Sequence, residues 1–135
     1  MALFVKGKID YTEKKGGMKM EKVLTIAGSD STGGAGIEAD LKTFQEYGTF
    51  GFASLASIVT MDPPPGWQHE VSPIAADLVE KQLISPLAGE ALYAVKPGML
   101  GNDQNIKVPA VLIKSLGSKQ VSIVPVIAFK GTALI

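Results

Sequence analysis

Apolar residues fall along this chain in two alternating kinds of run. Short blocks rich in β-branched residues, Val23 to Ala27, Phe50 to Val59, Ala91 to Val95 and Val121 to Ala128, are apolar on both faces. They read as strands buried inside a parallel sheet. Between them the apolar spacing turns helical. Ile37, Leu41 and Phe44 lie at i, i+4, i+7 and form one helix face, with Glu38 and Lys42 placed to pair on the outside and Gly48 as a stop. Ser72-Pro73 supplies a capping hydroxyl and a proline for a second helix start. Ala76, Val79, Leu83 and Leu87 make its buried face, and Pro86 ends or kinks it. Ile106, Ala110 and Ile113 predict a third helix that Pro109 either interrupts or begins. The order βαβ, αβ, αβ predicts an α/β fold with a parallel sheet covered on both faces.

Residues 1–21, MALFVKGKIDYTEKKGGMKME, carry no such period. They are lysine-rich, contain Gly16-Gly17, and are expected to be a disordered or non-native leader, with Met18 or Met20 as alternative starts. The domain is placed at residues 22–135. A chain of 135 residues builds one domain with a real core. A hydrophobic share of 46% excludes intrinsic disorder. Thirteen basic against thirteen acidic residues give zero net charge, which argues against nucleic acid or an acidic membrane as partner. Cysteine is absent, so neither disulfides nor thiolate chemistry enter. No apolar run reaches the roughly 18 residues of a membrane span, and no signal peptide is visible. A soluble cytoplasmic protein is the expectation.

Chemistry concentrates in Lys22 to Leu41, KVLTIAGSDSTGGAGIEADL. A strand stopping at Gly28, a polar and glycine-rich loop with Gly33, Gly34 and Gly36, and a helix starting near Ile37 form a cradle. In such a cradle backbone N–H groups and a helix N-terminus hold a polar or anionic ligand. Gly34-Ala35-Gly36-Ile37-Glu38-Ala39 matches G-x-G-x-x-A, but it starts six residues after Gly28, and no acidic residue stands near Ala56. The phosphate-loop pattern fails too, because Gly34-Ala35 replaces its lysine and hydroxyl. Met61 to Gln68, MDPPPGWQ, is a rigid loop just beyond a strand's carboxyl end, where open α/β sheets place ligands. His69 is the only histidine. By its neighbours alone it reads more readily as a surface residue packed near Trp67 than as a catalytic one.

The full string, Ala27-Gly28-Ser29-Asp30-Ser31, Gly33 to Ile37 and Ala39 to Phe44, resembles the opening of the hydroxymethylpyrimidine and pyridoxal kinases of the ribokinase superfamily. The similarity continues through Met61-Asp62-Pro63, Trp67, His69, Gly98-Met99-Leu100 and Pro125-Val126 to Lys130-Gly131. It implies a three-layer ribokinase-like fold, here about four core strands of it, and ATP with Mg2+ acting on a small-molecule vitamer. Aminopyrimidine enzymes of this family carry Ala-Gln-Asn-Thr at the second loop, whereas the pyridoxal branch carries Met-Asp-Pro, a Trp and a His, as here. A thioether packs on a ring but lacks the paired donor and acceptor of an amide. By resemblance Gly28, Asp30, Val59, Met61 and His69 lie at the vitamin ring. Met99 either lines the same pocket or packs in the core.

The likeness also breaks in places. Val124 stands where the family has the acidic residue of Asp-Pro-Val, Pro97 replaces the threonine of Lys-Thr-Gly, and Phe129 replaces a frequent cysteine. Members are also longer, and their later half carries the nucleotide pocket, the anion-stabilising turn and the catalytic residue. Two expectations follow: the amino-terminal half of a B6-vitamer kinase, with the aminopyrimidine kinase as alternative, or a non-catalytic ring-binding remnant. In either case no catalytic residue is assigned to this chain. The unpaired edge of such a half sheet predicts a homo-oligomer or a completing chain.

Overall fold

The computed structural model describes residues 3–5, 8–10, 20–66, 68–88, 92–116 and 120–121. Strands β1 (Leu3–Val5) and β2 (Lys8–Asp10) pair antiparallel as a sheet of their own.

The main sheet is built from β3 (Lys22–Asp30), β4 (Phe50–Met61), β5 (His69–Pro73), β6 (Ala94–Pro97) and β7 (Gln120–Val121), in the order β5-β4-β3-β6-β7. Four of these strands run parallel, as their two-sided apolar runs predict. The fifth does not. Strand β5 returns antiparallel along β4, from Ser57↔Pro73 to Met61↔His69, across a proline loop closed by the Asp62 N–H on the Gln68 carbonyl at 3.0 Å. Ser72-Pro73 therefore ends an edge strand rather than capping a helix, an edge being a place where proline is tolerated.

Three helices join the strands: α1 (Gly36–Glu46), α2 (Ala76–Leu87) and α3 (Asp103–Leu116). Along β3 alternate residues face opposite layers. Leu24 and Ile26 meet Val79 and Leu83 of α2, together with Ala56, Leu92 and Val95, in the buried core. Thr25 turns the other way and hydrogen-bonds Asp40 of α1. Each fully buried aliphatic side chain contributes about 1.5–3 kcal/mol, so this cluster carries the fold. On the opposite layer Gly51 lets α1 sit close, since a Cβ there would lie 2.8 Å from Leu41 and 3.0 Å from Phe44.

Several boundaries move. Strand β3 runs three residues past Ala27 because Gly28 to Asp30 keep pairing with Ser57 to Val59 across a bulge. Strand β6 lies at 94–97 rather than 91–95, and Leu92 is buried just before it. Pro109 sits inside α3, whose start is set earlier by the Asn102 side chain accepting the Asn105 N–H at 2.8 Å. Pro86 lies in the last turn of α2, and Gly48 takes a left-handed φ of 69° just past α1. The expected strand from residue 122 to Ala128, with Val124, Pro125, Phe129, Lys130 and also Trp67, lies outside the described residues. Among the described residues no helix is long and apolar enough to cross a membrane.

Candidate functional site

A cavity of about 360 Å³ opens at the carboxyl ends of β3, β4 and β6. It is where parallel sheets hold ligands. All six residues singled out by sequence, Gly28, Asp30, Val59, Met61, His69 and Met99, line it. Antiparallel β5 brings His69 there by pairing it directly with Met61. Met99 is a wall residue, and its methyl would stand 3.3 Å from a Cβ at Gly28.

Several donors of the glycine loop are taken by the chain's own groups. The Asp30 carboxylate accepts the N–H groups of Thr32 and Ala35, both at 2.9 Å, and the Thr32 hydroxyl at 2.8 Å. Glu38 accepts the Asp30 N–H at 2.9 Å and the Ser29 hydroxyl, instead of pairing with Lys42. Lys42 reaches the Gly33 carbonyl at 2.9 Å. The Gly33 N–H closes a turn on the Asp30 carbonyl at 2.8 Å. Gly36, at φ 63°, must be glycine, because a Cβ would run into the Gly28 carbonyl.

These bonds set the charges. The Thr32 N–H holds the Asp30 carboxyl below its ordinary value against the opposing effect of burial, helped by the Thr32 hydroxyl, the Ala35 N–H and the field of His69. Burial works to raise Glu38, yet the Ser29 hydroxyl and the Asp30 N–H outweigh it and its pKa is lowered. Both groups are anions at neutral pH.

Sequence reasoning missed a second polar element of the wall. Lys96 of β6 and Asp40 of α1 form an ion pair at 2.7 Å, with side chains 27% and 14% exposed. Thr25 donates to the same carboxylate at 2.6 Å. The pair also borders a second, apolar cavity of about 330 Å³ between α1 and β6. The signal was the lysine closing an apolar strand, a costly place for an unpaired charge. Asn105 was missed as well. Fully buried at the start of α3, its amide donates to the carbonyls of Ala56, Ile74 and Leu100 at 3.0–3.1 Å. It thereby fixes the Gly98–Gly101 loop that carries Met99.

Residues 30–135 match the family described as phosphomethylpyrimidine kinase. The chain belongs to that family. Among its relatives the pyridoxine kinase of Bacillus subtilis is 49% identical over 114 residues, 84% of this chain and 42% of the relative. The hydroxymethylpyrimidine/phosphomethylpyrimidine kinase of the same organism is 39% identical over 116 residues, again 42% of its length. The pyridoxal kinase of Staphylococcus aureus in complex with pyridoxal superposes with a TM-score of 0.76 at 43% identity, over 82% of this chain and 41% of that one. The chain thus spans about two fifths of these phosphomethylpyrimidine kinase family relatives, and its α/β fold is theirs.

Proposed function

We propose that this chain forms the ring-binding part of a vitamin B6 kinase, taking pyridoxal or pyridoxine in the cavity walled by Gly28, Asp30, Val59, Met61, His69 and Met99. The observation that carries the reading is the Met61–His69 register pair at the cavity, where an amide would be needed to read an aminopyrimidine edge. Met61 and Met99 offer polarizable apolar contact to an aromatic ring, and His69 a polar partner for a ring substituent. Higher identity to a pyridoxine kinase than to an aminopyrimidine kinase supports the same choice.

ATP belongs to the reading because the Staphylococcus aureus pyridoxal kinase is known in complex with AMP-PCP and pyridoxal. Asp30 accepts the Thr32 and Ala35 N–H groups of the glycine loop, and among the described residues no group of three or more His, Asp or Glu side chains gathers as a metal site. This chain's own work is to bind the ring, orient it and shield it from water. Phosphoryl transfer needs anion-stabilising donors aimed at the transferring group. Self-association or a completing chain belongs to the same proposal.

Calorimetry tests it. Pyridoxal and pyridoxine should bind more tightly than 4-amino-5-hydroxymethyl-2-methylpyrimidine, and Met61→Gln should narrow or reverse that order. Tighter aminopyrimidine binding by the unmodified chain sinks the assignment.

A further inference from the structure

We propose that Lys96 is a covalent capture site for an aldehyde-bearing ligand, its amine forming a reversible imine beside the Asp40 carboxylate. The proposal rests on the ring-binding reading above and adds a bond between that ring and the chain.

Lys96 is the one lysine among the described residues lining the cavity of about 360 Å³. It sits one residue before the end of β6, with its side chain 27% exposed. Other lysines are turned elsewhere. Lys42 reaches the Gly33 carbonyl, and Lys81 pairs with Asp77 with its side chain 67% exposed. A cavity of this size holds a substituted aromatic ring. An aldehyde on such a ring is an electrophile whose usual protein nucleophile is a lysine amine.

Asp40 supplies what the reaction needs beyond the amine. Its Oδ1 lies 2.8 Å and its Oδ2 2.7 Å from Lys96 Nζ, within reach for proton transfer. Thr25 donates to Oδ2 at 2.6 Å, which steadies the carboxylate and leaves Oδ1 the less engaged oxygen. Asp40 takes one proton from the ammonium. The lone pair so released forms a C–N bond as the carbonyl π pair moves onto oxygen. That oxygen receives the first proton and then a second from the nitrogen, both through Asp40, and leaves as water. Of the three ammonium protons, two depart in the water and one stays on nitrogen. Ammonium and aldehyde thus become protonated imine and water, with no change of charge and no oxidant or reductant. The cation keeps Asp40 as its counter-ion, so the product stays paired. Apolar residues of the same wall, among them Ala27, Ala39 and Met99, limit the water that would reverse the step.

The test treats the full chain with pyridoxal, reduces it with borohydride and maps the peptides. Pyridoxine, the same ring without the aldehyde, reads the ring site itself by calorimetry. The peptide containing Lys96 should gain the mass of one pyridoxal less one oxygen, and a visible imine absorbance should precede reduction. Pyridoxine at about ten times its Kd should lower labelling of Lys96 about tenfold, while labelling of exposed Lys42 and Lys81 stays as it was. Lys96→Arg keeps a cation beside Asp40 but cannot form the imine, and should lose the absorbance. Asp40→Asn should slow labelling about a hundredfold, and an unchanged rate overturns the part given to Asp40. Pyridoxine binding with Lys96 unlabelled overturns this proposal alone. So does labelling of Lys96 that bound pyridoxine does not lower. Failure of both vitamers to engage the chain overturns the ring-binding reading and this proposal with it.

Discussion

The loop from Ser31 to Ala35 is held by the Asp30 carboxylate, which accepts the N–H groups of Thr32 and Ala35 and the Thr32 hydroxyl, while Glu38 of the following helix grips the end of the strand before it through the Asp30 N–H and the Ser29 hydroxyl. The loop from Gly98 to Gly101 has no charge of its own and is held from outside. The Gly98 N–H bonds Ile26 of β3 at 2.8 Å, and the Leu100 carbonyl is held by a neutral amide at the start of the next helix. Both loops wall the same cavity, yet one is an electrostatic knot local in sequence and the other is a tertiary staple. The local knot is sensitive to backbone geometry and to pH. The staple is sensitive to one buried side chain and indifferent to pH.

The largest effect should come from the backbone of the knot. Gly36→Ala forces a side chain into a left-handed conformation and against the Gly28 carbonyl. A loss on the order of 3 kcal/mol is expected from strain and overlap together. Gly34→Ala is the control, because a Cβ there meets atoms only at 3.6 and 4.0 Å. Urea unfolding reads both, and equal midpoints for the two variants would remove the close approach as the reason for Gly36.

Asn105→Leu breaks the staple while keeping the branched outline of the side chain, with added apolar bulk. Three carbonyls lose the two N–H groups they share, at a cost of about 2 kcal/mol. Hydrogen exchange should quicken at Gly98 to Gly101 while Thr32 and Ala35 keep their protection, and ring affinity should fall as the Met99 wall loosens. Uniform loss of protection in both loops would show that they form one unit, not two.

The same contrast explains what the sequence could show. The parallel strands and α1 were legible because Val23 to Ala27 or Ile37, Leu41 and Phe44 state their faces by spacing alone. The six cavity residues named from sequence were legible through the resemblance of their motif strings, which fall at strand ends. The antiparallel β5 was not, since His69 to Pro73 is short, half exposed and lacks an apolar alternation. The roles of Asn105 and of Lys96 with Asp40 were hidden for a different reason. Apart from Leu100 beside Asn105 and Thr25 beside Asp40, their partners lie 31 to 56 residues away, and no local pattern encodes such a bond. Nor did the glycine spacing show that Asp30 lies close enough to take the Thr32 and Ala35 N–H groups for itself.

The smallest effect, and the one that isolates the knot's electrostatics, is in pH. An unfolded chain titrates its carboxyls near the ordinary 3.8 of aspartate and 4.5 of glutamate, whereas folding lowers both Asp30 and Glu38. Between the folded and unfolded values the unfolded state binds more protons, so stability rises with pH there. The contribution is complete above the unfolded values and is lost as pH falls through the folded ones. Asp30→Asn should cost about 1 kcal/mol at pH 7, the worth of weakened hydrogen bonds to Thr32 and Ala35. It should also flatten the fall in stability between pH 5 and pH 3. Asn105→Leu, lowering stability at every pH, should leave that slope untouched. Urea midpoints measured across this range for the unmodified chain and both variants decide the matter. A slope unchanged by Asp30→Asn, or one that disappears with Asn105→Leu, would mean that the two loops are not held by different forces.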